Sequence, residues 1–370
     1  MTNIKFWLKG ARLYTLPIGI VPVVMAISIF ARYLFSGQIL VKTYNVENFA
    51  LQAFLCLCVA VFMQISVNYA NDYCDGLRGL DNQRSKRAVS AENKALCDVS
   101  WRLADAGIKP KSVLYAACIS ALLSCVFGLV ITIRSGIWMF IPLGLICVMA
   151  AWFYAGGSHP YGYRGWGEFS AFLFFGPVAF LGTLCALFYA SGFSKDSITA
   201  ASIEQIVFCV LLSFIPGGFS ACLMMINNLR DIESDTQHKK ITAMALLGKR
   251  KGSVVFTCVT VLVAILQFAY VLLYVFYSRF IGVFLSISNQ YKIVRSLNNA
   301  LFSNGVCNGV FSVSCILLLL TTCVFIKKAC SLIYAVINGN YASAFPLCVQ
   351  LAMLGALTFV LSLFACALPH

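Results

Sequence analysis

Six of the chain's 13 acidic residues fall in two short stretches. The first reads Asn68-Tyr-Ala-Asn71-Asp72-Tyr-Cys-Asp75-Gly-Leu-Arg78-Gly-Leu-Asp81, and the second Asn227-Asn228-Leu-Arg230-Asp231-Ile-Glu233-Ser-Asp235. On a helix, successive residues turn by about 100°. With Asn68 at zero, Asp72, Asp75 and Asn71 fall at roughly 40°, −20° and −60°. With Asn227 at zero, Asp231, Asp235 and Asn228 fall at roughly 40°, 80° and 100°, while Glu233 turns to the far side. Each stretch therefore presents two carboxylates and amide oxygens on one face. Hard oxygen donors of this kind suit Mg²⁺, which takes one or two carboxylates and fills its shell with water and phosphate. The expected ligands are Asp72, Asp75, Asp231 and Asp235, with Asn68 beside them, and the four aspartates are the candidate catalytic residues. Acids that merely solvate a helix end belong near its N-terminus, whereas these close apolar runs, where the helix dipole disfavours them. Bases follow both stretches: Arg78, Arg84, Lys86 and Arg87 after the first, Lys239, Lys240, Lys249, Arg250 and Lys251 after the second. Carboxylate-held metal ringed by Arg and Lys suits a phosphorylated ligand, above all a diphosphate.

The elements that must carry these faces are membrane helices. Of 370 residues, 61% are hydrophobic and only 11% charged, with a mean hydropathy of +0.87. A soluble domain is about 25% charged. The net charge of +14 therefore sits on a chain too apolar for a soluble nucleic-acid binder, and the expected surroundings are a lipid bilayer. A span needs about 20 apolar residues, and nine candidates read off: 13–34, 48–70, 112–133, 136–155, 169–192, 205–228, 253–278, 306–326 and 343–366. The expected fold is an all-α polytopic bundle of about nine transmembrane helices, forming a single domain over 1–370. Twenty of the 27 Lys and Arg fall on the side that holds the N-terminus and both acidic stretches. The positive-inside bias makes that side cytoplasmic. The expected location is the cell membrane, with 71–111 and 229–252 as cytoplasmic active-site loops and 279–305 as a polar insertion. The 17 cysteines lie mostly inside spans, where cysteine acts as a small apolar residue. Neither the Cys56/Cys58 pair nor the isolated His159 and His238 has metal-site spacing.

These residues resemble the UbiA superfamily of intramembrane prenyltransferases. The likeness rests on Asn68-x-x-Asn71-Asp72-x-x-Asp75 and Asn227-Asn228-x-Arg230-Asp231-x-x-x-Asp235 at matched helix ends. The closer likeness is to the branch that prenylates 1,4-dihydroxy-2-naphthoate in menaquinone synthesis. It is carried by Gly10-Ala11-Arg12-Leu-Tyr-Thr15-Leu16-Pro17, Pro160-Tyr161-Gly-Tyr163-x-Gly165-x-Gly-Glu168 and Lys240-Ile-Thr242-Ala243-x-x-Leu246-Leu-Gly248. The resemblance implies Mg²⁺ on Asp72, Asp75, Asp231 and Asp235 holding the diphosphate of a polyprenyl donor. It implies Arg78, Arg87, Lys240, Asn71 and Asn227 around that diphosphate. It also implies Arg12, Tyr161 and Arg164 on the acceptor, whose carboxylate is lost as CO₂ to give demethylmenaquinone. After Arg78 the wording departs from the branch, running Gln83-Arg84-Ser-Lys86-Arg87 where a Gly-Pro and small residues are usual.

Two other classes place acids on membrane helices. A CDP-alcohol phosphotransferase would share Asp72-x-x-Asp75-Gly76, but its remaining aspartates should follow within about two dozen residues. Here the second acidic stretch lies 159 residues on. A cation-coupled transporter would hold its ion near the bilayer midplane on broken helices, whereas these acids gather at helix ends beside phosphate-suited bases. A UbiA-type enzyme acting on another aromatic acceptor is the nearer alternative.

Overall fold

The computed structural model describes residues 4–35, 46–77, 108–190, 203–238, 240–285 and 304–364. These residues build helices α1 (Ile4–Gly10), α2 (Leu16–Phe35), α3 (Val46–Leu77), α4 (Pro110–Ser135) and α5 (Phe140–Ala155). They continue with α6 (Gly167–Leu173), α7 (Ala179–Ala190), α8 (Ile203–Gln237), α9 (Ala243–Leu285), α10 (Asn304–Ile337) and α11 (Tyr341–Phe364). A π turn, Phe174–Val178, joins α6 to α7 around Pro177.

Eight of these segments are long and apolar enough to cross a bilayer, and α5 is a shorter apolar helix. The span expected over 136–155 is thus only partly realised. Gly136, in the left-handed region at φ 69°, ends α4, and α5 starts at Phe140. Its 16 residues reach about 24 Å, short of the roughly 30 Å hydrocarbon core. The segment expected as an insertion at 279–305 begins as helix, since α9 runs on to Leu285; residues 286–303 lie outside the described residues. The acidic stretches expected to begin loops at 71 and 229 are the last turns of α3 and α8. The helical premise behind their shared faces therefore holds.

Burial separates inner from outer helices. In α2 and α8, 61% of the most apolar window is buried, and in α11 56%; in the other spanning segments the share is 28–39%. Water-free interiors leave no hydrophobic drive between helices, so close contact depends on small residues and polar clasps. Gly176 in the π turn and Gly217 in α8 allow one such contact. A Cβ on Gly176 would lie 2.6 Å from the Gly217 Cα. Between α9 and α11, Gln267 donates to Thr358, and the Tyr270 and Ser362 hydroxyls lie 2.7 Å apart. This packing fixes α8, with the second acidic stretch at its end, against α6, α2, α9 and α11. The first stretch is held by α3, which lies along α4.

Candidate active site

Each aspartate meets a base or a phenol. Asp72 is buried and ion-paired with Arg12. Asp75 is buried and accepts the Tyr163 hydroxyl. Asp231 takes both arms of Arg230, at 2.9 Å each. Asp235, fully buried, lies 3.4 Å from the Lys240 Nζ. Glu233 points outward, as helical geometry requires, and pairs with Lys249 at the surface.

Local chain geometry places these partners. Arg12 has φ 51° and ψ 57°, a left-handed conformation unusual for a side-chain-bearing residue. It follows α1 at a sharp corner whose Ala11 and Thr15 both bond Asn68: the Asn68 Nδ2 donates to the Ala11 carbonyl at 2.9 Å and to Thr15 Oγ1 at 3.3 Å. The other two partners come together through backbone pairing. The Ile241 N–H donates to the Tyr163 carbonyl at 3.0 Å, and the Lys240 Nζ stands 5.2 Å from the Tyr163 ring centre. The turn at 161–163 and the chain leaving α8 thereby join the two acidic helix ends.

Between them lies a polar cavity of about 80 Å³. It is lined by Asn71 and Asp75 of α3, by Asn227, Asn228, Arg230 and Asp231 of α8, and by Arg12 and Lys240. A second cavity, about 570 Å³ and mostly apolar, lies beside it among α2, α3, α4, α5, α7 and α8. Arg12, Thr15, Asn71, Tyr154, Met224 and Asn227 line both. The site is thus a charged pocket sharing a wall with an oily chamber.

Of the residues expected from sequence, Asn71, Asp75, Asn227, Asp231, Lys240 and Arg12 meet at the polar cavity. Asp72 and Asp235 line neither cavity. Asn68 and Tyr161 line the larger chamber, with the Tyr161 hydroxyl donating to the Ala150 carbonyl at 2.9 Å. Burial pushes the Tyr161 phenol up from its usual pKa. Arg164 lines neither cavity; its guanidinium lies 2.8 Å from His159 Nδ1 on an exposed loop. Arg78 and Arg87 lie outside the described residues.

Other residues join the site that were not among the expected ligand or substrate contacts. Tyr163 binds Asp75 and Arg230 binds Asp231. Asn228 donates to the buried Glu168 at 2.8 Å. Tyr14 and Phe345, ring centres 5.6 Å apart, close one wall of the polar cavity. Both Tyr163 and Glu168 sit in the Pro160–Glu168 wording, so their signal was present; Phe345 comes from α11 with no local sign of a role.

The donor chemistry fits Mg²⁺. Asp75 and Asp231 with the amides of Asn71, Asn227 and Asn228 provide hard oxygens around one small cavity, and Mg²⁺ needs only one or two carboxylates when phosphate and water complete its shell. Among the described residues, no three His, Cys, Asp or Glu approach closely enough to hold one ion. The four aspartates are therefore not drawn into a single cage. Replacing Tyr163 by Phe leaves the buried Asp75 carboxylate without its phenol. We expect about a 10-fold fall in kcat, the worth of a hydrogen bond to a charged group, read by steady-state turnover with thermal unfolding unchanged within a few degrees.

The fold and this paired-motif site define a membrane-embedded prenyltransferase architecture, and comparison with known proteins agrees. Residues 20–301 match the UbiA prenyltransferase family. The chain is 36% identical over 274 residues, 74% of its length and 80% of the relative's, to a Mycobacterium tuberculosis protein named 1,4-dihydroxy-2-naphthoate octaprenyltransferase. It is 37% identical over 250 residues, 67% of its length and 71% of the relative's, to the Mycobacterium leprae protein of the same name. A UbiA homologue from Aeropyrum pernix K1, solved in its apo form, shares the fold with a TM-score of 0.54 at 13% identity, covering 93% of this chain and 96% of that one. The chain belongs to the UbiA prenyltransferase family, and with eight segments of spanning length and apolarity among the described residues it is a multi-pass membrane protein.

Proposed function

We propose that the chain transfers a polyprenyl group from polyprenyl diphosphate to 1,4-dihydroxy-2-naphthoate, with loss of CO₂, in menaquinone synthesis. The observation that carries this reading is the polar cavity set beside the apolar chamber, with six residues lining both. One holds a charged head, the other an oily tail and a water-sensitive reaction. The acceptor is the one named for both mycobacterial relatives. The whole chain serves as one domain in the cell membrane, and the side bearing most of the bases, and with it the active site, faces the cytoplasm.

Asp75 and Asp231, with Asn71, Asn227 and Asn228, would hold Mg²⁺. Bound there, the metal neutralises charge on the diphosphate and on its oxygens as they leave. Asp72 and Asp235 act from behind by fixing Arg12 and Lys240. Arg12, Arg230 and Lys240 all line the cavity and offer donors to phosphate oxygens; Arg78 and Arg87 are proposed as further diphosphate contacts. When the prenyl C–O bond breaks, its electron pair leaves with diphosphate and the C1 end gains allylic cation character. Phe174, Phe175 and Tyr154 line the chamber, and aromatic faces attract cations. Excluding water there protects the cation from hydrolysis. The electron-rich ring carbon that bears the acceptor's carboxylate then forms the new C–C bond. The carboxylate departs as CO₂, and the electrons of its broken bond restore the aromatic ring.

Arg12 and Tyr161 adjoin the chamber and are the acceptor-side residues. Arg164 points away, so Arg164→Ala is expected to change kcat/KM for the acceptor by less than about 2-fold, the range of an exposed charge. A larger loss would bring that side chain to the acceptor. The function is tested with purified protein, Mg²⁺, polyprenyl diphosphate and a panel of aromatic acids. A prenylated naphthol is expected from 1,4-dihydroxy-2-naphthoate. Turnover of another acid alone would move the chain to another acceptor, and no prenylated product from any acid would overturn the enzyme reading.

A further inference from the structure

Glu168 is a buried acid with no part in the chemistry derived above. It stands in the first turn of α6, is 5% exposed, and lines neither cavity. One carboxyl oxygen accepts the Asn228 Nδ2 at 2.8 Å. The other is sealed from solvent with no hydrogen-bond partner among the described residues. Burying a carboxylate on so little hydrogen bonding is costly, and an acid kept in a spanning segment marks a task more than packing.

Asn228 links this acid to the site. It lies on α8 one turn before Asp231 and is only 4% exposed. Of the two cavities it lines the polar one alone. A side-chain amide has a donating end and an accepting end, whereas a carboxylate only accepts. Glu168 must therefore hold the NH₂ end, and the oxygen is the end left over. That Oδ1 has no hydrogen-bond partner among the described residues and is not sealed from solvent. The pairing thus assigns the direction of an amide whose shape alone leaves it ambiguous.

We propose that Glu168 is a positioning residue for the metal: it turns Asn228 so that the amide oxygen, and not the NH₂, faces the cation in the polar cavity. The inference rests on the metal reading given above and deepens it. The acid makes a neutral asparagine a dependable hard donor without adding a third carboxylate beside Asp75 and Asp231. A glutamine at 168 would leave the direction of the pair open, because either amide could then donate. Partners that orient a metal ligand in this way typically hold 10–100-fold of metal affinity.

The test reads metal binding and not turnover. The purified full chain, with saturating inorganic diphosphate, is titrated with Mn²⁺, which suits the same oxygen donors. Free Mn²⁺ is followed by electron paramagnetic resonance. Thermal unfolding without metal separates loss of affinity from loss of fold. Glu168→Met removes the acceptor and keeps the bulk, and we expect Mn²⁺ to bind about 10-fold more weakly. Glu168→Gln is expected to lose only about 2–3-fold, because metal binding selects the pairing that presents oxygen and the reversed pairing merely dilutes it. In an Asn228→Ala background, itself weakened, Glu168→Met is expected to add less than about 2-fold, since its route to the metal is gone. Should Glu168→Met fail to accumulate, the cycle is run with Glu168→Gln, whose smaller loss must likewise vanish without Asn228. Unchanged Mn²⁺ affinity in Glu168→Met would overturn the proposal. So would an equal loss with and without Asn228, which would make Glu168 a distant charge. Wild-type protein that binds no Mn²⁺ with diphosphate present would overturn the metal reading itself, and this inference with it.

Discussion

Asp75→Asn and Asp231→Asn each lower kcat by about 10²–10³-fold while leaving a folded protein. Both side chains line the polar cavity, and each replacement keeps size while removing a full negative charge and one hard oxygen. Losing one preorganised electrostatic group at a site of developing charge costs about this much. Asp231 is only partly buried, so its loss leaves Arg230 able to reach water. The half-saturating Mg²⁺ concentration is expected to rise in both variants, a shift that a purely structural defect would not cause. Wild-type activity in Asp75→Asn would remove Asp75 from the metal face. Asp72→Ala is expected to behave differently. It strips Arg12 of a partner that is itself buried, so it lowers stability by about 3 kcal/mol as well as turnover, because a buried charge is left without its counter-ion.

Gly217→Val is expected to cost about 3 kcal/mol or to prevent the protein from accumulating, the upper end of overpacking effects. A Cβ at Gly217 would lie 2.6 Å from the Phe172 carbonyl, and one at Gly176 2.7 Å from the Ser213 carbonyl. The obstacles are backbone atoms and cannot rotate aside. Relief would require α8 to move away from the α6 segment, which would open the wall between Asn228 and Glu168. Thermal unfolding in detergent reads the change. Gly182→Ala is the control, since no atom lies within 4 Å of the added carbon; its midpoint should stay within about 1–2 °C of wild type or rise slightly, as glycine-to-alanine changes inside helices do. A stable, active Gly217→Val protein would show that this close contact is not what fixes α8.

The helices and the two acidic faces were readable from residue types because both follow local rules. Apolar runs of bilayer length specify spans, and the 3.6-residue period brings Asn68, Asn71, Asp72 and Asp75 to one side of α3. That period does not say which member of a face reaches a cavity and which lies behind it. Asp72 and Asp75 differ by only about 60°, yet one meets Arg12 and the other borders the cavity with Tyr163. That difference depends on the corner at Arg12 and on the pairing of Tyr163 with Ile241, contacts between segments far apart in the chain. Arg164 shows the same limit from the other direction. Its neighbours Tyr161 and Tyr163 reach the site, but the turn carries its side chain to His159. Phe345 was out of reach for a similar reason, since α11 lies beyond the family-matched segment and only packing against α2 brings it to Tyr14. The fourth span read long because hydropathy does not register the Gly136 turn that interrupts it.

The most direct test follows carbon and phosphate together in one reaction. Purified protein is given Mg²⁺, polyprenyl diphosphate and 1,4-dihydroxy-2-naphthoate labelled in its carboxyl group. Diphosphate, labelled CO₂ and prenylated naphthol are then counted over time. Equal release of all three, abolished by chelating the metal and by Asp231→Asn, is the expected result. Diphosphate released without CO₂ or a new C–C bond would mean that the polar cavity cleaves the donor but the chamber does not hold this acceptor, contradicting the proposed function.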